Sequence, residues 1–330
     1  MVNIQIVNNL IPPYQLVRSM NFGWEDQYVF DVTVNSQYAI ASASDNIIRL
    51  YDLATLQPAT SLSFHQQRIS KIKLYNDVYL FSASEDGKLA RWDLRTNNNQ
   101  PVQIFNYPRP LSAFDINCND SMAIVGTLNE DVVQAAEIGF FDTRTNGLIH
   151  KFEESHGDDI TEIQCHPNTP SQFISCSTDG LINNYDVTEF DEEEAIISVI
   201  NSGSSVNKTG YFGPNAEYVF CLTHLETFSL HTLEGDLVCD YGELKQINDV
   251  DYAIDCNYDP INQRLYLETG NNSGSVQIFH VNLNELQLCQ TLQAPNGHTD
   301  VVRSIFWNHN THSILTGGED GRMCAWQGVL

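Results

Sequence analysis

Four times in this chain an Asp is followed six residues later by Trp or Tyr: Asp45/Tyr51, Asp86/Trp92, Asp179/Tyr185 and Asp320/Trp326. Each Asp follows a run of small residues (ASASDN, SASEDG, SCSTDG, TGGEDG), and each aromatic ends a short apolar stretch (IIRLYD, LARWD, INNYD, MCAWQ). Small residues, a turn and a short strand read as part of a β-hairpin. A hairpin unit recurring at long, similar intervals constrains the fold more than composition does. One unit cannot bury its apolar face alone, so copies must stack.

Counted as the residue ending the strand, the repeat falls at Tyr51, Trp92, Phe141, Tyr185, Leu230, Phe279 and Trp326, with intervals of 41 to 49 residues. That is near the roughly 40–45 residues of a four-stranded propeller blade. No segment keeps a 3.6-residue apolar period over three turns. The expected fold is all-β: seven blades, ending near 53, 94, 143, 187, 232, 281 and 327, in a single domain over 1–330. The last unit stops soon after Trp326 and lacks an outer strand. The strand-like stretch 14–20 is expected to supply it and close the ring, which removes exposed sheet edges.

At this point the chain resembles the WD40-repeat family. His65, Ser82, Asp86 and Trp92 carry the resemblance in the second unit. His298, Thr316, Asp320 and Trp326 repeat it in the seventh. His156, Ser175, Asp179 and Tyr185 give a variant in the fourth, with Tyr-Asp for Trp-Asp. The C-terminal run from His298 to Trp326 is most similar to the WD repeat-containing protein 89 type. The resemblance implies a hydrogen-bond relay within each blade. In it Asp accepts from His, His meets the Ser or Thr hydroxyl, and the hydroxyl meets the indole N–H. A buried network of this kind is stable when every member is satisfied, and Tyr185 changes its last link. The first unit has Trp24 near the His position. The third loses the turn Asp. The fifth and sixth are assigned by spacing alone.

Net charge is −26, from 42 acidic against 16 basic residues. Such a surface repels nucleic-acid phosphates and anionic membranes. It suits a basic protein partner, or simply keeps a protein dispersed. No run approaches the roughly 18 apolar residues of a membrane span, and the start lacks the basic and apolar regions of a secretory leader. The expected location is nucleus or cytoplasm, with the oligomeric state open and a monomer acceptable. The eight cysteines have no CxxC spacing. Cys118, Cys165, Cys176, Cys221, Cys256 and Cys324 are read as buried small hydrophobes in a reducing compartment.

No metal, cofactor or catalytic set is expected. There is no H-E-x-x-H and no G-x-S-x-G nucleophile elbow. Residues 203–209 fail as a phosphate loop, with Asn207 where the motif needs Gly. A propeller-borne enzyme is therefore disfavoured. The leading reading is a non-catalytic scaffold whose acidic loop face receives a basic, histone-like or ribosomal-protein-like segment. Candidate contacts are Trp24, Glu25, Asp26, Tyr107, Asp158, Asp159, Asp249, Asp251 and Asp300. Charge-assisted hydrogen bonds come from the carboxylates, and aromatic anchors from Trp24 and Tyr107 if exposed. The run Glu189–Glu194 is either a solvated connection or a further electrostatic anchor. An alternative reading takes Trp92–Arg95 and Phe141–Arg144 as WDxR-like boxes. They resemble those by which some WD40 proteins act as substrate receptors of a cullin-4 ubiquitin ligase, with Arg95 and Arg144 docking on the adaptor.

Overall fold

The repeat aspartates make their own turns. In the computed structural model, which describes residues 3–23, 27–96, 99–129 and 135–329, each accepts the backbone N–H two residues on. The distances are 3.3 Å from Ile47 to Asp45, 3.1 Å from Lys88 to Asp86, 2.9 Å from Leu181 to Asp179 and 3.0 Å from Arg322 to Asp320. The intervening residue has positive φ: Asn46 (62°), Gly87 (75°), Gly180 (90°) and Gly321 (64°). Gly and Asn tolerate this backbone best. At Gly87 a Cβ would also stand 2.5 Å from the Tyr107 carbonyl oxygen, so glycine is required twice over.

The strands between these turns follow in sets. Ahead of the repeats come β1 (Asn3–Ile6) and β2 (Tyr14–Asn21). The first blade comprises β3 (Val29–Val34), β4 (Tyr38–Ala43), β5 (Ile47–Asp52) and β6 (Pro58–Ser63). The second comprises β7 (Ile69–Tyr75), β8 (Tyr79–Ser84), β9 (Lys88–Asp93) and β10 (Gln103–Asn106). The third comprises β11 (Leu111–Ile116), β12 (Met122–Thr127), β13 (Ala136–Asp142) and β14 (Leu148–His156). The fourth comprises β15 (Ile160–Cys165), β16 (Gln172–Ser177) and β17 (Leu181–Asp186), then the short helix α1 (Glu192–Ala195) and β18 (Ile196–Asn201). The fifth comprises β19 (Val206–Phe212), β20 (Tyr218–Thr223), β21 (Thr227–Thr232) and β22 (Leu237–Glu243). The sixth comprises β23 (Tyr252–Asp259), β24 (Arg264–Gly270), β25 (Val276–Asn282) and β26 (Glu285–Leu292). The seventh comprises β27 (Val302–Asn308), β28 (Ser313–Gly318) and β29 (Arg322–Gly328). The fold is all-β, a seven-bladed β-propeller. Among the described residues, α1 is the one α-helix, and no helix is long and apolar enough to cross a membrane.

The described residues fall into two compact units. The first takes in the described residues of 1–79, 94–100 and 241–330. Here β2 pairs antiparallel with β29, Leu16 opposite Trp326, so residues from the start of the chain supply the seventh blade's fourth strand. Tyr14 pins that join. Its hydroxyl accepts from the Trp307 indole at 2.8 Å, and the two rings meet edge-to-face with centroids 5.7 Å apart. Tyr14, Tyr266, Trp307 and Trp326 share one core cluster of the sixth and seventh blades. A second cluster, with Val29, Val32, Leu315 and Met323, joins the seventh blade to the first. Absent from the repeat reading is β1, which adds a fifth, parallel strand to the sixth blade beside β26.

The second unit takes in 80–93 and 101–240. One of its core clusters stacks rings across the third and fourth blades. Phe140 meets Phe152 at 4.8 Å and Phe173 at 5.7 Å, and Phe173 lies flat on Tyr185 at 4.5 Å. Successive blades are tied by side chains on their first strands. The buried Asp115 carboxylate accepts the Ile116 N–H at 2.6 Å and the Cys165 N–H of the next blade at 2.8 Å. Asp31 does the same in the first unit, toward Val32 at 2.9 Å and Ile72 at 3.0 Å.

The cysteine reading needs one correction. Cys176, Cys221, Cys256 and Cys324 are buried and Cys165 is half-buried, but Cys118 is exposed. It lies past the end of β11, in the turn to β12, where the chain has left the core.

Candidate interaction site

In the seventh blade the four side chains run in sequence. The Trp326 indole donates to Thr316 Oγ1 at 3.1 Å, Thr316 lies 2.8 Å from His298 Nε2, and His298 Nδ1 lies 3.0 Å from Asp320. Both ring nitrogens of His298 are thereby engaged, Nδ1 by the carboxylate and Nε2 by the threonine hydroxyl. Asp320 also takes the backbone N–H groups of Thr299 and Arg322. Burial opposes its ionisation. Hydrogen bonding and charge from His298, together with the two amides, outweigh burial and hold the carboxyl below its usual range. One side chain thus pins the loop holding the His to the hairpin turn.

The fourth blade keeps the first links. His156 lies 3.0 Å from Asp179 and 2.7 Å from Ser175, and Asp179 is likewise held low against its burial. The final link differs. Tyr185 Oη is 3.4 Å from Ser175, and the Asn183 amide donates to it at 3.1 Å. Tyrosine has an oxygen where tryptophan has only an N–H, and Asn183 fills that acceptor. In the second blade, Trp92 donates to Ser82 at 2.9 Å, Asp86 also lies 3.8 Å from Lys88 Nζ, and His65 is buried. In the first blade, Asp45 meets Arg49 through both guanidinium nitrogens instead of a His.

The residues just outside these relays face solvent. Asp158, Asp249, Asp251 and Asp300 are exposed and Asp159 is half-buried. In the first unit a recess of about 740 Å³ opens between residues 245–251 and the turn 271–273. Two carboxylates on it are fixed by short bonds. Asn271 Nδ2 donates to Asp249 Oδ1 at 2.7 Å, and the Asn272 N–H donates to Asp251 Oδ2 at 2.8 Å. Asn271 is itself held, its Oδ1 accepting from the Ser273 and Ser275 N–H groups at 3.0 Å each. The seventh blade adds Asp300, whose Oδ1 accepts the Val301 N–H at 2.8 Å. In the second unit, Asp159 accepts the Asn129 N–H at 2.6 Å. In each case one oxygen orients the residue on the scaffold.

Other candidates fare differently. Trp24, Glu25 and Asp26 lie outside the described residues. Tyr107 is no exposed anchor: it is 5% exposed, its hydroxyl donates to Glu137 at 2.6 Å, and its ring covers Gly139, where a Cβ would stand 2.4 Å away. The reason is local. Glycine leaves a hole that the ring fills, and Glu137 satisfies the hydroxyl. Arg95 is exposed, with its guanidinium 5.5 Å from the Tyr79 ring centroid. The Arg144 side chain is 80% exposed and pairs with Asp142 at 3.4 Å.

Glu192 shows what spacing did not reveal. Within the acidic run, its carboxylate takes the N–H groups of Glu153 and Glu154 at 2.8 Å and the Ser155 hydroxyl at 2.6 Å. That acid is a strut for β14, while Glu189, Asp191, Glu193 and Glu194 remain exposed. Among the described residues, no group of three or more His, Cys, Asp or Glu is placed to hold a metal ion.

The family model for the WD domain, G-beta repeat, matches residues 287–327. The WD repeat-containing protein 89 homolog of Dictyostelium discoideum is 30% identical over 335 residues, spanning 94% of this chain and 89% of that protein. The WD repeat-containing protein GTS1 of Arabidopsis thaliana is 29% identical over 350 residues, spanning 96% and 85%. Nucleoporin Nup43 of Homo sapiens is 25% identical over 166 residues, spanning 48% and 41%. With relay geometry, blade architecture and near full-length similarity in agreement, the chain belongs to the WD40-repeat family and is similar within it to the WD repeat-containing protein 89 type.

Proposed function

We propose that this protein is a non-catalytic protein-interaction scaffold whose loop carboxylates receive a basic segment of a partner protein, in the nucleus or cytoplasm. The observation that carries the reading is the recess between residues 245–251 and 271–273. Asp249 and Asp251 stand exposed there with their orientation already fixed by Asn271 and Asn272. Preorganised acceptors lose less freedom on binding than mobile ones. Net charge of −26 supports the basic character of the partner and gives steering on approach. Similarity to a protein named as a nucleoporin supports membership of a larger assembly.

The test is direct. A labelled Lys/Arg-rich peptide is titrated into the full chain at rising salt, and anisotropy is read. Exposed pairs contribute about 0.2–1 kcal/mol each, so Asp249→Lys with Asp251→Lys weakens binding about tenfold. Binding also falls as the Debye length contracts toward about 8 Å at physiological ionic strength. Salt-independent binding, or an unchanged affinity in the double variant, removes the proposal.

A second reading, docking on a cullin-4 ligase adaptor through Arg95 and Arg144, draws support from the accessibility of Arg144. Charge reversal at both positions should abolish adaptor pull-down and leave the melting temperature unchanged. Pull-down that survives the reversal rejects this role.

A further inference from the structure

β1 stands outside the repeat. It runs parallel to β26, with Asn3 opposite Glu285, Ile4 opposite Leu286, Gln5 opposite Gln287 and Ile6 opposite Leu288. The sixth blade's own strands pair antiparallel. All four β1 residues are exposed, Ile6 by 74% and Ile4 by 37%, so no core side chain anchors the strand. Backbone pairing holds it, extended by Val7 N–H to the Leu288 carbonyl at 3.0 Å. A thin polar set adds to this. Asn3 donates to Glu285 at 3.1 Å, and Gln287 donates to Gln5 at 3.2 Å and to Glu285 at 3.0 Å. Backbone pairing is offset by the entropy of ordering the segment, and nothing buried tips the balance.

The attachment beyond β1 is firm. The Leu10 carbonyl accepts from Arg264 at 3.2 Å, and the Tyr14 backbone is gripped on both sides by the Gln290 amide, at 2.8 and 2.7 Å. Release of β1 therefore leaves the seventh blade's closing strand in place. It also bares the edge of β26 from Glu285 to Leu288, and a bare edge accepts an extended peptide by strand addition.

We propose that this edge is a strand-addition site, filled in the free protein by β1 and in the bound state by an extended basic segment of a partner protein, laid parallel to β26. The basic character follows from the Asn3 position. Its neutral amide meets the Glu285 carboxylate, and Lys or Arg in its place makes that bond charge-assisted and shorter. That gain lets a partner compete with a strand tethered at millimolar effective concentration.

The test uses the full chain and a fluorescein-labelled VKIQIV peptide, the β1 sequence with Lys at the Asn3 place. Gln5→Pro removes an N–H that faces β26, since the Val7 N–H two residues on donates to Leu288 and N–H direction alternates along the strand, and it opens the edge. Gln5→Cys with Gln287→Cys locks β1 by a disulfide when oxidised and frees it when reduced. Gln5→Pro is expected to bind the peptide at least tenfold more tightly than wild type. The oxidised lock should not bind, and reduction should restore wild-type binding. Glu285→Gln in the opened chain should weaken the Lys peptide at least threefold and leave the Asn version unchanged. Equal binding by open, wild-type and locked chains overturns the site, as does no binding to Gln5→Pro while the reduced and oxidised lock behave alike. A concentration-dependent dimer exchanging β1 between copies would make a second copy the occupant and overturn the assignment to a partner.

Discussion

A carboxylate in this protein is either spent on the scaffold or presented from it, and its neighbours decide which. Asp320 is spent: it takes His298 and two backbone N–H groups at once. Removing it orphans donors in a mostly buried site, at a cost of about 1–3 kcal/mol each. Asp320→Ala, and Asp86→Ala by the same reasoning, should each lower the unfolding free energy by about that amount in urea titrations. No loss would mean that the relay contributes nothing. The pH dependence has a definite sign. The folded-state pKa values of Asp320 and Asp179 are lowered, so unfolding binds protons. Their stabilisation is complete above the unfolded carboxyl value near 3.9 and is lost as pH falls through the lower folded values. Asp320→Ala should accordingly flatten the acid limb of stability against pH. Asp158, by contrast, faces solvent and takes one backbone N–H, that of its neighbour Asp159, at 2.9 Å.

Among the elements, the first strands of the first and third blades, β3 and β11, carry a role that their sequence hides. Asp115 reads as one polar residue in an apolar strand, yet it is 1% exposed and bridges β11 to β15 through the Cys165 N–H. Spacing along one strand does not say which N–H of the next blade lies in front of a side chain. Hydrogen bonds to charged groups contribute about 1.5–3 kcal/mol. Asp115→Ala should therefore destabilise by about 2–3 kcal/mol in denaturant melts, while Asp158→Ala stays within about 0.5 kcal/mol. Equal effects would show that the bridge adds nothing to blade packing. Glu192 makes the same point for α1: three bonds to β14 turn part of an acidic run into structure.

Across the whole molecule, the charge of −26 does not select the fold. In the proposed function it acts on encounter and favours a partner of opposite sign, which is why the salt series and the Asp249/Asp251 reversal belong at this scale. Much of the architecture was legible beforehand. The Asp turns, the aromatic strand ends and the unpaired last unit all pointed to repeating blades with an N-terminal strand completing the seventh, and β2 pairs with β29 in that way. The weak repeats were less legible. In the fifth blade the cross-strand register sets His231, not Leu230, opposite Val219, where the seventh sets Trp326 opposite Ile314.

The division between sequence and structure follows from the range of the forces. Turn chemistry, strand alternation and the His-to-Asp relay arise from residues within one repeat, so spacing alone determined the blades and their number. Exposure and pairing across repeats depend on which surfaces meet after folding. Only the tertiary structure could bury Tyr107 over Gly139, spend Glu192 on β14 and leave Asp249 and Asp251 at a recess. It alone could also lay β1 along β26, because a four-residue exposed strand leaves no apolar pattern to read, and its partner lies some 280 positions away in the chain.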